Sequence, residues 1–396
     1  MKALIAMSGG VDSSVAAKLM KDKGYECIGA TMRLYDREDS ELPDTDMTDV
    51  SCSALGADRA AASASAERGC GRDRDDDAID AGSKSGCRTC CSETDAADAR
   101  AVAGRLDMIC HTLNYKEEFR SKVIDKFIEC YENGATPNPC IDCNRYMKFD
   151  LMLKKAKSLG CDKLVTGHYA RIERGEDGKY RLLKAKDESK DQSYVLYMLT
   201  QEQLEHIEFP MGEYTKSRTR DIAQESGFVN SDKPDSQDIC FVPDGDYGAV
   251  IRSYTGREYE EGDFVDKEGN VLGRHKGIIG YTLGQRKGLG ISADRPLYVI
   301  DVDAEGNRVV LGDNEDLMGR EAYFTDINWI SGEAPADGAH LQAKTRYRQK
   351  EQPGTVKKIS DDKYVFVFDE PVRAITRGQA LVIYDGEAVI GGGTIV

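Results

Sequence analysis

The stretch Ser8-Gly9-Gly10-Val11-Asp12-Ser13-Ser14 most constrains the fold, because it separates a short apolar run from a helical pattern. Residues 4–7 are typical of a buried parallel strand, and the apolar residues that follow Asp12 recur at helical spacing. A second buried strand is predicted over residues 26–32. Together these elements predict a β-α-β unit, whose glycine turn offers backbone N–H groups and the positive end of a helix dipole to phosphate.

The glycines alone leave the interpretation of this turn open. A tight turn with Asp12 or Ser13 as helix cap is the simpler interpretation, since the lysine of a Walker loop and the spacing of a dinucleotide fingerprint are absent. The complete string is more specific. It resembles the pyrophosphate loop of the ATP pyrophosphatases, which activate a carbonyl oxygen with AMP and release pyrophosphate. That resemblance implies ATP and leaves the acceptor open.

The length and charge of the chain indicate its number of domains, its class and a region without a packed core. With 396 residues, two or three domains are expected. No run is long and apolar enough to cross a membrane, and no secretory signal precedes the first strand, so a soluble cytoplasmic protein is expected. The net charge is −16. Residues 36–86 hold 14 acidic and 6 basic side chains, a net of −8, and 37–86 lack aromatic residues, which predicts a disordered or loosely packed insert.

The chain is predicted to form an α/β domain followed by two smaller units. After the insert, helices predicted at 93–105, 116–131 and 149–159 alternate with strands at 107–112 and 164–165, which indicates a doubly wound parallel sheet over residues 1–205. Ligands bind such sheets at the carboxyl ends of the strands, where the glycine loop and Thr166-Gly167-His168 fall. A small central domain is predicted over 206–280. Short alternating runs over 281–396, including 297–302 and 308–311, predict a β-barrel.

A basic stretch in the barrel region is a candidate contact for nucleic acid. Residues 344–350 place four cations, Lys344, Arg346, Arg348 and Lys350, at every second position, so a strand would carry them on one face. A solvated outer face is an equally good interpretation of the strip alone. In so acidic a chain, a phosphate backbone explains the strip better.

The twelve cysteines favour reactive thiols or metal binding over a disulfide framework. Cys140 and Cys143 form a Cys-x-x-Cys pair, and Cys87 and Cys90 form another, so structural zinc is a real alternative. Against zinc, Pro137 and Pro139 precede Cys140 and are expected to fix an extended backbone, which is a way to aim a thiol into a cleft.

Seven motifs in register make the resemblance close. They are Ser8–Ser14, 136–144 with Lys148-Phe149, 166–171, 190–194, 236–241, 284–290 and 346–348. Together they resemble the tRNA-specific 2-thiouridylase family, which places sulfur on C2 of the wobble uridine. The resemblance covers nearly the whole chain outside residues 36–86. It implies an adenine nucleotide alpha hydrolase-like fold with a central domain and a C-terminal barrel.

The resemblance also implies roles for individual residues. It implies that the loop binds ATP together with Mg²⁺, with the adenine against Met32 and the nucleotide also at Gly167. The loop residues implied are Ala6, Met7, Ser8, Gly9, Gly10, Val11, Asp12 and Ser13. Cys240 would carry a persulfide, with Cys143 as its catalytic partner. Asn138, Pro139 and Cys140 would face the target base. The remaining tRNA contacts implied are His168, Lys190, Asp191, Gln192, Arg346, Tyr347 and Gln379.

The chain departs from one branch of that family at Cys140, where the branch has an aspartate that can accept a proton. A variant with Cys140, Cys143 and Cys240 resembles thiolases in which three cysteines are suspected to hold an iron–sulfur cluster of the [4Fe-4S] type. The implied partners are tRNAs that read Lys, Glu and Gln codons and a sulfur donor, either a cysteine desulfurase or a persulfide carrier. A monomer is expected. An amide-forming synthetase with the same loop and a zinc-stabilised RNA-binding protein are the alternatives.

Overall fold

A computed structural model describes residues 1–35, 93–235, 239–242 and 245–396. The predicted acidic insert and the cysteines at 52, 70, 87, 90 and 91 lie outside the described residues.

A five-stranded parallel sheet organises the first part of the chain. The strands up to residue 208 are β1 (Lys2–Ala6), β2 (Glu26–Arg33), β3 (Cys110–Asn114), β4 (Lys163–Val165), β5 (Arg171–Arg174), β6 (Tyr180–Leu183) and β7 (Ile207–Glu208). The parallel sheet has the order β3-β2-β1-β4-β7, while β5 and β6 form an antiparallel hairpin. The order reverses between β1 and β4, and ligands bind doubly wound sheets at such a switch point.

Nine α-helices and two π-helical segments accompany the strands in the described part of the chain. The α-helices are α1 (Val11–Asp22), α2 (Glu93–Arg105), α3 (Lys116–Phe119), α4 (Asp125–Glu132), α5 (Pro139–Asp142), α6 (Leu153–Ser158), α7 (Gln201–Glu205), α8 (Lys216–Glu225) and α9 (Tyr247–Thr255). The π-helical segments Arg120–Ile124 and Cys143–Met152 connect α3 to α4 and α5 to α6. Short 3₁₀ turns lie at Glu188–Lys190, Ser193–Leu196, Pro210–Glu213, Ile278–Gly280 and Asn314–Leu317. The helix predicted from residue 149 is thus the second half of a helical segment that begins at Pro139.

Helices cover both faces of the parallel sheet. One apolar core joins Ile5 of β1 to Ala16 of α1, Val102 of α2 and Ala223 of α8. The opposite core joins Leu4 of β1 to the helical segment that ends at Ser158. The predicted α/β doubly wound sheet is therefore confirmed, and β7 and α8 extend it beyond residue 205.

Two antiparallel or mixed sheets follow. The first has the order β10-β11-β8-β9, with β8 (Gly262–Val265), β9 (Val271–His275), β10 (Tyr298–Asp303) and β11 (Arg308–Gly312). The runs at 297–302 and 308–311 were predicted to belong to the barrel, and this assignment is wrong because β11 pairs with β8. Alternation of apolar and polar residues indicates a strand and does not identify its partner.

The C-terminal strands close into a barrel, as predicted. They are β12 (Met318–Trp329), β13 (His340–Lys344), β14 (Gln352–Lys358), β15 (Tyr364–Arg373), β16 (Ala380–Asp385) and β17 (Ala388–Ile395), in the order β12-β15-β14-β13-β16-β17 with β12 also paired to β17. Strand β17 pairs in addition with β6, so the hairpin of the first domain holds the barrel in place. Within the described ranges, no helix is both long and apolar enough to cross a bilayer.

Candidate active site

The predicted nucleotide loop forms a compact turn between β1 and α1. The N–H of Met7 donates to the carbonyl of Ala30 on β2 at 2.8 Å, so the chain stays in the sheet for one residue beyond β1. Ser13 Oγ lies 3.3 Å from both the N and the Oγ of Ser8, and the Ser13 hydroxyl donates to the carbonyl of Gly10 at 3.0 Å. The loop therefore turns back upon the first turn of α1, where helix N–H groups face outward.

Two glycines permit close contacts at this loop. Gly9 has φ +74°, and a Cβ there would overlap the backbone carbonyl of Asp95 in α2. A Cβ on Gly167 would lie 2.7 Å from the N of Ser13. The structure thus brings Gly167 against the loop, 154 positions away from Ser13 in the chain. Met32 is half-buried near the end of β2, beside the same edge of the sheet.

An ionic network that was not predicted from the sequence surrounds Asp12. Both carboxylate oxygens of Asp12 accept from Lys216 Nζ, at 2.7 and 2.8 Å, and the Tyr169 hydroxyl donates to one of them at 2.8 Å. Lys216 Nζ also lies 2.7 Å from Asp235. Lys216 and Asp12 are 204 positions apart, and no local pattern pairs them. Thr215 before Lys216 is a recognisable helix N-cap, but it indicates a helix and not a ligand.

Asp235 connects the nucleotide loop to a second predicted region. Besides Lys216, it pairs with Lys190 at 3.0 Å and with Arg220 at 3.1 Å. Burial raises the pKa of Asp235, but the hydrogen bonds from Lys216 and Lys190 outweigh it and lower the pKa below its ordinary value. Asp235 therefore remains ionised and holds these cations together at neutral pH.

The predicted thiols lie on two segments. Asn138 caps α5, and its Oδ1 accepts from the N of Cys140 at 3.2 Å, while Pro139 occupies the first helical position. Cys140 is exposed, and Cys143 and Cys240 are half-buried. Both half-buried cysteines pack against one apolar core, which lies mainly between α3–α4 and the sheet formed by β8–β11.

The Cys240 segment is anchored through the carbonyl of Cys240 and the ring of the next residue, Phe241. The Tyr35 hydroxyl donates to the carbonyl of Cys240 at 2.6 Å. The ring of Phe241 packs edge-on against Phe119 and Phe127, at centroid distances of 5.8 and 5.2 Å. These contacts hold Cys240 on the core that also receives Cys143.

Cys140, Cys143 and Cys240 do not form a site for a single metal ion. Among the residues that the structure describes, no three His, Cys, Asp or Glu side chains come together as metal ligands. Cys140 lies instead near Tyr347. Burial raises the pKa of Tyr347 to about 12, and the charges of Asp191 and Cys140 act in the same direction.

Asp142 does not replace the missing carboxylate at position 140. Its side chain is buried and accepts from Lys126 Nζ at 2.7 Å. Burial raises the pKa of Asp142, although Lys126 opposes the change. A small cavity of about 30 Å³, lined by both residues, separates this pair from the barrel at Gly378 and Ala380.

Several predicted tRNA contacts join parts of the protein to one another. Gln379 Nε2 donates to the carbonyls of Thr136 and Pro137, at 2.8 and 3.2 Å, so the barrel supports the segment before Cys140. Asp191 accepts from the backbone of Ala185 and Ser193 and from the Ser193 hydroxyl. Gln192 Oε1 accepts from the N of Tyr169 at 3.0 Å.

The predicted basic face at residues 344–350 is wrong. Strand β13 ends at Lys344, whose Nζ pairs with Glu351 at 3.0 Å. The chain then turns, because Gln349 Oε1 accepts from both the N and the Oγ1 of Thr345. Arg346 points inward and donates to the Leu283 carbonyl and the Thr376 hydroxyl. Tyr347 remains 39% exposed.

His168 is only 8% exposed and lies between aromatic rings. Its ring centroid is 5.7 Å from that of Phe149 and 5.8 Å from that of Phe209, and its Nδ1 lies 2.7 Å from Thr166 Oγ1. Burial, with a smaller contribution from Lys148, holds the pKa of His168 well below its ordinary value. The ring is therefore neutral at physiological pH.

Protein stability is expected to fall between pH 7 and pH 5.5 because of His168. In this range the unfolded chain binds a proton at His168 and the folded chain does not, so stability rises with pH by up to about 1.4 kcal/mol per unit. In urea titrations at several pH values, His168→Gln is expected to reduce this slope. His206→Gln, at a half-exposed histidine, should retain it. An unchanged slope in His168→Gln would contradict the prediction.

Three family models match consecutive parts of the chain. The model described as "tRNA methyl transferase HUP domain" matches residues 1–68 and 75–244, and the model described as "tRNA methyl transferase PRC-barrel domain" matches residues 249–313. The model described as "Aminomethyltransferase beta-barrel domain" matches residues 320–395. The matched regions correspond to the parallel sheet, the four-stranded sheet and the closed barrel.

Curated relatives are similar over their whole length. A protein of Clostridioides difficile (strain 630) named "tRNA-specific 2-thiouridylase MnmA" is 46% identical over 395 residues, which cover 100% of this chain and 98% of that protein. Proteins of the same name from Clostridium botulinum (strain Alaska E43 / Type E3) and Lachnoclostridium phytofermentans are 44% and 42% identical, with 97% and 99% of their lengths covered. With this identity along the whole chain, and with three family models matched in order, the chain belongs to the tRNA-specific 2-thiouridylase family.

Proposed function

We propose that this protein is an ATP-dependent sulfurtransferase that converts the wobble uridine of tRNA to 2-thiouridine, with AMP and pyrophosphate as the other products. The observation that carries the proposal is that a candidate nucleotide loop and two candidate reactive thiols occur in one domain. The glycine loop lies against Gly167 at the switch point of the sheet, and Cys143 and Cys240 share one core. An amide-forming synthetase would have no use for the two thiols.

The nucleotide loop serves the first half of the reaction. The C2 carbonyl of uridine is a poor electrophile, because the ring is amide-like and oxide is a bad leaving group. O2 attacks the α-phosphorus of ATP, the bond to the bridging oxygen breaks, and its electron pair leaves with pyrophosphate. The loop residues and the N-terminus of α1 stabilise that charge, and Mg²⁺ is the metal expected to accompany the phosphates.

The thiols serve the second half. A persulfide on Cys240 is attacked at Sγ by the Cys143 thiolate, which forms a Cys143–Cys240 disulfide and releases the outer sulfur as sulfide. Sulfide adds to C2, and AMP departs with the original oxygen. A thiol reductant then supplies two electrons to reopen the disulfide. This route needs only Cys240 and Cys143, so an iron–sulfur cluster enters no step of the proposed reaction.

The base has to leave its stack to reach these groups. Asn138, Pro139 and Cys140 form the helix start that would receive it, with the half-exposed ring of Tyr347 close to Cys140. The barrel is fixed to the segment before this helix by Gln379 and to the segment after it by the Arg145–Asp326 ion pair at 2.7 Å. tRNAs that read Lys, Glu and Gln codons are the proposed substrates, and a cysteine desulfurase or persulfide carrier is the proposed donor.

The test is pyrophosphate release that depends on tRNA. Full-length protein is mixed with ATP, Mg²⁺ and unmodified transcripts of a tRNA with a wobble uridine, and of the same tRNA with the wobble base changed to cytidine. Release with the first and not with the second is expected, followed by 2-thiouridine once a persulfide donor is added. Equal release without tRNA, or no release with either transcript, would contradict the proposed function.

A further inference from the structure

Lys216 places a cation beside the predicted nucleotide loop. The loop Ser8–Ser14 contains no lysine, unlike a Walker loop. Lys216, the first residue of α8, extends its ammonium to Asp12 in the first turn of α1, at 2.7 and 2.8 Å. Its Nζ also lies 5.7 Å from the ring centroid of Tyr169. A positive charge thus lies next to the N-terminus of α1, supplied by a distant part of the chain.

The partners of Lys216 keep other hydrogen-bond donors when its ammonium turns away. Asp12 also accepts a hydrogen bond from Tyr169, and Asp235 also pairs with Lys190 and Arg220. If the ammonium turns towards a phosphate, neither carboxylate is left without a donor. The Lys216 side chain is 12% exposed, so solvent screens its charge only weakly, and an ion pair formed there with phosphate is stronger than one at the surface.

We propose that Lys216 is a catalytic residue that binds the β- and γ-phosphates of ATP and stabilises the pyrophosphate that departs. This inference rests on the proposed function and adds a residue to it. When O2 of the base bonds to the α-phosphorus, the α–β bridging bond breaks and its electron pair stays on pyrophosphate. The Lys216 ammonium pairs with the charge gained there, so its contribution increases along the reaction.

The first experiment separates phosphate binding from nucleoside binding. The affinities of full-length protein for a non-hydrolysable ATP analogue, for pyrophosphate and for adenosine are measured by calorimetry in wild type and Lys216→Met. Affinity for the analogue and for pyrophosphate is expected to fall about ten- to one-hundred-fold, because one charge-assisted contact is lost. Affinity for adenosine should not change. The matched control is Lys186→Met, at an exposed lysine paired with Glu213, which should leave all three affinities unchanged.

A purely structural role for Lys216 gives a different result. Equal losses for adenosine and for the analogue, or wild-type pyrophosphate affinity in Lys216→Met, would overturn the proposal. Should Lys216→Met fail to fold, wild-type protein with ¹³C-methylated lysines provides a second measurement. The Lys216 signal, assigned with Lys216→Arg, is expected to shift with pyrophosphate and not with adenosine; no shift would overturn the proposal. Wild-type protein that binds the analogue but lacks tRNA-dependent pyrophosphate release would contradict the proposed function alone.

Discussion

A Cys240→Ser variant is expected to form no 2-thiouridine, while it still releases pyrophosphate from ATP in the presence of tRNA. The glycine loop and Gly167, which are proposed to serve adenylation, lie on the parallel sheet, and Cys240 lies on a separate core with Cys143. Removal of the persulfide carrier therefore stops sulfur transfer and leaves activation of the base intact. Thiolation is expected to fall by on the order of 10³-fold or more. The measurements are pyrophosphate release and nucleoside analysis of the tRNA by mass spectrometry.

Cys143→Ser gives the complementary result. Here the persulfide forms on Cys240 and cannot be released, so intact-protein mass spectrometry should find one additional sulfur atom after treatment with the donor. Cys130→Ala, at a half-buried cysteine on α4, is the control and should retain thiolation. Thiolation at the wild-type rate in Cys240→Ser would contradict the persulfide route.

Experiments on Cys140 distinguish the persulfide route from sulfur transfer through an iron–sulfur cluster. With a persulfide on Cys240, iron-free protein is expected to thiolate tRNA, and Cys140→Ala should retain at least part of the activity. Anaerobically purified protein with near-stoichiometric iron and sulfide, lost together with activity in Cys140→Ala, would instead favour a cluster.

The sequence was most informative where a local pattern carries the geometry. Glycines at 9 and 10 predicted the turn before α1, and apolar runs predicted the parallel strands, because backbone conformation and burial depend on residues close in the chain. The contact between Gly167 and Ser13 followed from a more general rule, that carboxyl ends of parallel strands lie along one edge.

Long-range pairing was not predictable in the same way. No sequence pattern pairs Lys216 with Asp12, because the two residues meet only when the fold places α8 beside α1. The prediction of a basic face at residues 344–350 was wrong for a related reason. Period two is meaningful only within a strand, and the hydrogen bonds of Gln349 turn the chain directly after Lys344. Arg346 thereby becomes a half-buried connection to Thr376.

The predicted tRNA contacts that face inward suggest how binding and assembly are related. Gln379, Asp191 and Gln192 hold loops in place through hydrogen bonds to backbone groups. A residue of this kind fixes the loops around it, and these loops form the proposed surface for RNA whether or not its own side chain contacts the RNA. Its replacement would then disturb both the fold near Cys140 and tRNA affinity.

Gly9→Ala is expected to be the most damaging single substitution at the nucleotide site. Alanine at φ +74° costs about 1–2 kcal/mol, because Cβ approaches the following carbonyl. The new methyl group would also overlap the Asp95 carbonyl, which adds about 1–3 kcal/mol for the movement of α2. The expected loss of unfolding free energy is thus about 3 kcal/mol, with ATP binding abolished because the loop and α2 move apart. Urea unfolding and calorimetry with an ATP analogue measure the two effects.

Gly24→Ala measures the stability cost of alanine at positive φ without the cost of a close contact such as that between Gly9 and Asp95. Gly24 has φ +81° just beyond α1, and a Cβ there would meet no atom within 4 Å among the described residues. The Gly24→Ala variant is expected to lose only about 1–2 kcal/mol of unfolding free energy, from the backbone conformation alone, and to bind the ATP analogue like wild type. The difference between the two variants then measures the contact of Gly9 with Asp95. Equal losses in both variants, with ATP binding retained in Gly9→Ala, would mean that the loop does not depend on its close packing against α2.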